Sequence, residues 1–142
     1  MLLKRARKET DSSVQTQLAT ALATNADEAL PDVVKGLRTA YTKPTCTTYA
    51  LALGFMTGTS IDALKNALVS GNENQRINAS RAVAYMANVL SNPDAFAYTS
   101  DREFDIRLVK GLIAPLQALA QHESGEQKRY AEHALSQIEK LM

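Results

Sequence analysis

Three segments of this 142-residue chain, 45–56, 75–86 and 127–138, carry the same order of small and large side chains at helical spacing. The matching columns are Tyr49, Ala79 and Ala131; Ala52, Ala82 and Ala134; Leu53, Val83 and Leu135; Gly54, Ala84 and Ser136; and Met56, Met86 and Ile138. Small residues allow two helices to approach to about 8–10 Å, while the larger apolar side chains fill the grooves between them. The pattern therefore predicts helices that pack closely side by side.

The spacing of the three segments predicts a stack of helix pairs. The first two lie 30 residues apart and the third lies 52 residues further on, which indicates 22 inserted residues around 91–105. A helix pair leaves one apolar face uncovered, and the next pair can cover it. The preceding helices repeat as well, with apolar residues at equivalent positions: Val34 and Leu37, Leu64 and Leu68, and Leu116 and Leu119.

Apolar residues recur at helical spacing in nearly the whole chain, and no segment alternates as a half-buried strand does. We therefore expect an all-α protein. The predicted helices span residues 12–25, 31–42, 44–57, 60–70, 73–91, 101–122 and 125–141.

Several local signals set the expected helix ends. Capping boxes are predicted at Ser12 with Gln15, Ser100 with Glu103, and Ser124 with Gln127.

Proline and glycine give further signals. Pro31 and Pro44 fit the first turn of a helix, and Pro115 predicts a kink inside a longer one. Gly58 and Gly71 are expected to end helices with a positive φ.

The segments 75–86 and 127–138, each following a helix and a polar turn, resemble HEAT-type repeats of the short, 30-residue variety found in phycobilin lyases and many bacterial proteins. The likeness covers about 31–142 and departs at Tyr49 and at the insertion. It implies a short right-handed α-solenoid of about three antiparallel helix pairs in one domain, 1–142. The expected parts are a basic arm and N-terminal cap helix (1–30), repeat 1 (31–58), repeat 2 (59–91), an inserted loop (92–104) and repeat 3 (105–142).

The charge distribution gives no basic stripe for a phosphate backbone. The net charge is +1, of which residues 1–9 contribute +3 and the remaining 133 residues −2. The basic start is read either as a helix beginning or as a targeting segment. No apolar run is long enough to cross a membrane. A single cysteine, Cys46, excludes a disulfide framework within the chain and fits a reducing compartment, so we expect a cytoplasmic protein.

Residues for catalysis are absent from the sequence pattern. His122 and His133 lack metal-ligand spacing, and Cys46 has no histidine nearby in sequence. No phosphate-binding glycine loop or nucleophile motif occurs. We therefore expect no enzyme activity, no catalytic residues, no metal and no cofactor.

The second helices of the pairs would form a wall with inward positions Thr48, Leu51, Phe55, Asn78, Arg81, Tyr85, Asn88, Tyr130, His133 and Gln137. Aromatic and arginine side chains are enriched at protein interfaces. We expect a partner to bind at Phe55, Arg81, Tyr85, Tyr130 and His133. The alternative for Phe55 and Tyr85 is a place in the core. The inserted loop, with Phe96 and Tyr98, is a second candidate surface.

These observations predict a non-catalytic interaction module, an adaptor or scaffold that binds a protein or peptide. Two alternatives stay open: a HEAT-like nucleic-acid-binding protein, although segment 45–57 carries no charge, and a lyase-type subunit that handles a chromophore. Nucleic acid and membrane are not the expected partners. The C-terminal helix has apolar residues with little sequence left to cover them, which predicts self-association or a partner there: Ala131, Ala134, Leu135, Ile138, Leu141 and Met142.

Overall fold

A computed structural model describes residues 12–92 and 101–141, and the regular elements in these two ranges are all helical. The all-α prediction is confirmed for this part of the chain. The helices are α1 (Ser12–Thr24), α2 (Ala26–Gly36), α3 (Pro44–Phe55), a 3₁₀ turn (Thr57–Ser60), α4 (Ile61–Ser70), α5 (Glu73–Ser91), α6 (Arg102–Lys110), α7 (Ile113–His122) and α8 (Gly125–Glu139).

Helix α5 occupies the middle of the packing. It lies against α3 on one side and against α8 on another, and α4 packs onto it as well. Helix α1 packs on α3, α7 packs on α8, and α4 also contacts α7. Each of the three repeated segments therefore lies on a helix that contacts another of the three, as the small-residue pattern predicted.

The repeated columns form the core. Three of the five columns are buried in all three segments, including the alanines at 52, 82 and 134, which are completely inaccessible. The third segment departs at two places, because Leu135 is only partly buried and Ser136 is exposed.

The closest approach between α3 and α5 is at Gly54. A Cβ atom placed there would lie 2.8 Å from Cβ of Tyr85 and 3.0 Å from the backbone nitrogen of Met86. These distances are shorter than van der Waals contact, so only glycine fits without separating the two helices.

The large residue in the first column, Tyr49, is accommodated by the helix before it. A Cβ atom at Gly36 of α2 would lie 2.5 Å from Cδ2 of the Tyr49 ring. The missing side chain at Gly36 thus provides the space that Tyr49 takes, which explains how this pair tolerates a departure from the small-residue column.

Two predicted helix spans are wrong. Helix α2 begins at Ala26, so Pro31 lies inside it rather than in its first turn, and it ends at Gly36 instead of residue 42. The predicted helix 101–122 is divided into α6 and α7 at Gly111 and Leu112. No kink forms at Pro115, which lies in the first turn of α7, where the absence of its amide hydrogen costs no helical hydrogen bond.

The capping predictions were also corrected. Ser124 precedes α8 but makes no side-chain cap bond. Asp101 caps α6 by accepting from the backbone N–H of Phe104, at 3.1 Å. The capping box in the described ranges is at Asn72 and Gln75, whose side chains each accept a backbone N–H of the other, at 2.9 and 2.8 Å. Ser100 and the side chain of Ser12 lie outside the described part.

The predicted positive φ values at Gly58 and Gly71 are wrong. Gly58 lies in the 3₁₀ turn, and Gly71 is extended, with φ −75° and ψ 166°. In the described ranges, positive values occur at Thr57 (φ 46°) and at Gly125 (φ 60°).

The apolar residues of the C-terminal helix do not form an exposed face. Ala131, Ala134 and Ile138 are buried, and Leu135 and Leu141 are partly buried against the core. The reason is that α8 turns this side toward α5 and α7. Self-association, or a partner, at α8 stays a prediction, with Leu135 and Leu141 as its partly accessible apolar residues.

Several sequence predictions fall outside the described residues. They concern the basic arm within residues 1–11, most of the inserted loop with Phe96 and Tyr98, and Met142. Among the helices that the structure does describe, none has both the length and the apolar content needed to span a membrane.

Replacing Gly54 by alanine tests the close contact. We expect Gly54→Ala to lower the free energy of unfolding by about 1–3 kcal/mol, because the new Cβ must displace α5 or Tyr85. The measurement is urea unfolding followed by circular dichroism. Gly111→Ala is the control, because Gly111 is exposed, has right-handed helical backbone angles (φ −64°, ψ −14°) just after α6, and the nearest atom to an added Cβ would be a carbonyl of its own turn at 3.1 Å. An equal loss in both variants, or none in Gly54→Ala, would contradict the packing described.

Candidate functional site

A groove of about 350 Å³ lies between α5 and α8. Both walls are helix middles, so the groove is shaped by side chains and not by loops. We call it the α5–α8 groove, and its lining residues are Arg81, Ala84, Tyr85, Asn88, Tyr130, His133 and Gln137.

Arg81 connects three elements at one end of the α5–α8 groove. Its Nη2 donates to Oγ1 of Thr47 on α3 at 2.8 Å, and its Nη1 points to the carbonyl oxygen of Tyr41 at 3.4 Å. Its guanidinium carbon lies 6.0 Å from the centre of the Tyr130 ring on α8. These contacts hold a partly buried guanidinium in one orientation beside an aromatic ring.

Tyr130 is the centre of a small aromatic and cationic cluster. The Tyr41 ring meets it edge to face, with centroids 6.1 Å apart and planes at 67°. The Arg129 guanidinium lies 4.7 Å from the Tyr130 centroid. Arg129 also forms an ion pair with Glu126, and its pKa is raised by that hydrogen bond and by the Glu126 charge. The positive charge of Arg129 is thus already balanced, unlike that of Arg81.

The α5–α8 groove is lined by basic side chains and by no acidic ones. Its lining includes a guanidinium and an imidazole, and none of its lining residues carries a carboxylate. Within residues 12–92 and 101–141, the ion pairs are Arg76 with Glu123 and Arg129 with Glu126, so Arg81 has no acidic partner there. Helix α3, which borders the Arg81 end, contains no charged residue.

Asn78 holds the loop that carries Tyr41 through hydrogen bonds. This asparagine is fully buried on α5, and its Nδ2 donates to the carbonyls of Leu37 at 2.9 Å and Thr39 at 3.0 Å. Because these bonds join α5 to the segment between α2 and α3, they fix the position from which Tyr41 reaches Tyr130.

Cys46 belongs to the same structural support. Its Sγ donates to the carbonyls of Thr39 and Ala40, at 3.2 and 3.0 Å. Burial raises the pKa of the Cys46 thiol, although Arg81, Asn78 and Lys43 each act in the opposite direction. A thiol with a raised pKa stays protonated at neutral pH and is a weak nucleophile. The geometry gives Cys46 a packing role.

The structure brings together four of the predicted partner-binding residues. Arg81, Tyr85, Tyr130 and His133 all line the α5–α8 groove. Phe55 does not line it. Phe55 and Tyr85 are both partly buried and pack against the core. Phe96 and Tyr98 lie outside the described residues.

The other predicted wall positions divide into two groups. Asn88 and Gln137 line the α5–α8 groove. Thr48 and Asn78 are buried, and Leu51 is partly buried against the core, because α3 and α5 lie so close that their facing residues are enclosed. Thr48 and Asn78 are therefore enclosed and do not lie on an open wall, and Leu51 is only partly accessible.

Three contributors to the site were not predicted from sequence. Tyr41 lies in a loop outside the repeated columns, and Thr47 and Arg129 lie beside those columns rather than within them. Their part in the site depends on contacts across helices, so no signal within one helix marks them.

A larger hollow of about 440 Å³ lies between α2 and the start of α3. Its lining contains charges of both signs, an acidic one on Asp32 and basic ones on Lys35 and Lys43. Tyr49 is the one aromatic residue in that lining, and it is buried in the core. It thus offers no accessible ring and no single sign of charge, so we place the candidate site in the smaller α5–α8 groove. Among the residues described, no cluster of three or more histidine, cysteine or acidic side chains could hold a metal ion.

No protein family, curated protein or solved structure matches the chain.

Asn78→Ala tests the support beneath the site. We expect a loss of about 2–4 kcal/mol in the free energy of unfolding, since the buried Leu37 carbonyl loses the Asn78 donor, the Thr39 carbonyl keeps only the bond from the Cys46 thiol, and a cavity forms. Asn88→Ala is the control: the same change on the same helix at an exposed position, with an expected effect below about 0.5 kcal/mol. Chemical denaturation measures both, and similar losses would contradict the assigned role of Asn78.

Proposed function

We propose that this protein is a non-catalytic interaction module, an adaptor or scaffold, that binds a protein or peptide in the α5–α8 groove. The observation that carries the proposal is the meeting of Arg81, Tyr85, Tyr130 and His133 in one groove of about 350 Å³. Tyrosine and arginine supply large contact areas and are the residue types that dominate binding energy at protein interfaces.

The rigidity of the α5–α8 groove supports this function. Its side chains project from two packed helices, and Arg81 is held by Thr47 and Tyr41. A surface that is already ordered loses little conformational entropy when a partner binds. This favours recognition of a partner by a fixed surface over closure of a flexible one.

We also propose that the helices belong to a short right-handed HEAT-like α-solenoid, with α1 as the N-terminal cap and α2–α3, α4–α5 and α7–α8 as the three pairs. In support, α5 lies between α3 and α8, and α4 contacts α7. The α5–α8 groove would then lie on the surface formed by the second helices. The cytoplasm is the proposed location, on the basis of the single, buried cysteine.

Quantitative affinity capture tests the proposed function. The tagged wild-type chain is compared with the double variant Tyr85→Ala/Tyr130→Ala and with Phe104→Ala, a matched aromatic control that is 53% exposed and lies outside the groove. We expect specific partners to be retained by the wild type and by Phe104→Ala, and to fall about tenfold or more with the double variant. Circular dichroism checks that each variant is folded.

Retention that is equal in all three proteins would contradict the proposal. If the double variant loses helicity, His133→Asp provides the same comparison at an exposed position of α8. Retention of duplex DNA that decreases steeply with salt would favour the nucleic-acid alternative. Visible absorbance of the purified protein would favour a chromophore-handling subunit.

A further inference from the structure

We infer that the partner presents an acidic side chain, Asp or Glu, from within a peptide segment, and that Arg81 binds its carboxylate. This inference rests on the proposed function and names the chemistry of the bound partner. It starts from the unbalanced charge: Arg81 is partly buried beside two tyrosines, and no carboxylate pairs with it in the described ranges.

The Arg81 guanidinium keeps donors available for such a group. Of its five N–H bonds, one donates to Thr47 and one is directed to the Tyr41 carbonyl, and the others make no hydrogen bond to the described part of the chain. Arginine and carboxylate form paired, charge-assisted hydrogen bonds with fixed geometry. Because Thr47 and Tyr130 already orient the guanidinium, binding a carboxylate requires little further ordering.

The surroundings of Arg81 favour the carboxylate of an acidic side chain over the carboxylate at the end of a peptide chain. Capture of a terminal carboxylate uses free backbone N–H groups. The α5–α8 groove is lined by residues 81–88 and 130–137, which lie inside two helices, so their backbone amides are engaged in helical hydrogen bonds. Only side-chain donors remain there.

The surroundings also favour a carboxylate over a phosphate. Phosphate groups on peptides are bound by clusters of arginines. Here Arg81 is the one arginine that lines the groove, and the neighbouring Arg129 is paired with Glu126. A single guanidinium matches the single charge of a carboxylate better than the charge of nearly two on a phosphate.

The rest of the α5–α8 groove suits an apolar or aromatic residue next to the acidic one. Ala84, Tyr85 and Tyr130 supply apolar surface to its lining. A volume of about 350 Å³ lies at the lower end of the range of small-ligand sites, which corresponds to a few side chains. The occupant is thus a short peptide segment with an acidic residue beside an apolar one.

Selection from a displayed library of random peptides tests the inference. The random positions are flanked by fixed linkers on both sides, so that no free chain end enters the groove. Three baits are used: the wild type, Arg81→Glu, and Arg107→Glu, an exposed arginine on α6 outside the groove as the matched control. We expect Asp or Glu to be enriched at one position by the wild type and by Arg107→Glu, and Lys or Arg to replace it with Arg81→Glu.

The reversed preference is an outcome that misfolding of the variant could not produce. If Arg81→Glu does not fold, Arg81→Gln replaces it in a binding cycle with a synthetic selected peptide. Calorimetry should then show that a Glu→Gln change in the peptide weakens binding to the wild type by about 10-fold to 100-fold, but has little effect on binding to Arg81→Gln.

The outcomes separate the two proposals. Selected peptides that lack an acidic preference, but depend on Tyr85 and Tyr130, would overturn this inference and leave the interaction module standing. An acidic preference that persists in Arg81→Glu would also overturn it. Absence of any enriched peptide that depends on the groove would overturn both.

Discussion

Close contact between α3 and α5 determines the arrangement of the other helices. The two helices meet where Gly54 faces the backbone at Met86 and the first side-chain carbon of Tyr85, with no room for one more carbon atom. The alanine columns extend this contact along α5 and on to α8. If larger residues occupied these positions, the helices would separate and the side chains between them would lose their packing.

The site is a consequence of that contact. Tyr85 lines the α5–α8 groove while its Cβ faces Gly54, and its partly buried side chain also packs against the core. Arg81, one turn earlier on α5, reaches Thr47 on the α3 side and Tyr130 on the α8 side. The same helix therefore supplies the core and the two residues that connect the core to the candidate binding surface.

Prediction from sequence succeeded where the signal was periodic. The small and apolar columns locate the buried faces of α3, α5 and α8, and they place Arg81, Tyr85, Tyr130 and His133 on a common surface. Periodicity does not show how closely two helices approach, so Asn78 and Thr48, predicted to lie on the inward side of the helix wall, are instead buried.

Local signals were less reliable than the periodic pattern. Ser124 fits a capping box by sequence but makes no such bond, whereas Asn72 and Gln75 make a complete one. Pro31 is tolerated inside α2, where only one hydrogen bond is lost. Tyr41 could not have been assigned to the site, because the bonds of Asn78 to the α2–α3 segment, and not the neighbours of Tyr41 in sequence, bring it to Tyr130.

Native-state hydrogen exchange measures the central role of α5 most directly. If the contacts of α5 with α3 and α8 hold the structure together, the amides of residues 79–86 can exchange only when the whole described fold opens. Their opening free energy should equal the free energy of unfolding obtained with denaturant, while the amides of α6 exchange at a lower value. The account would be contradicted if the amides of residues 79–86 opened with a free energy well below the global free energy of unfolding while the amides of α3 and α8 stayed protected.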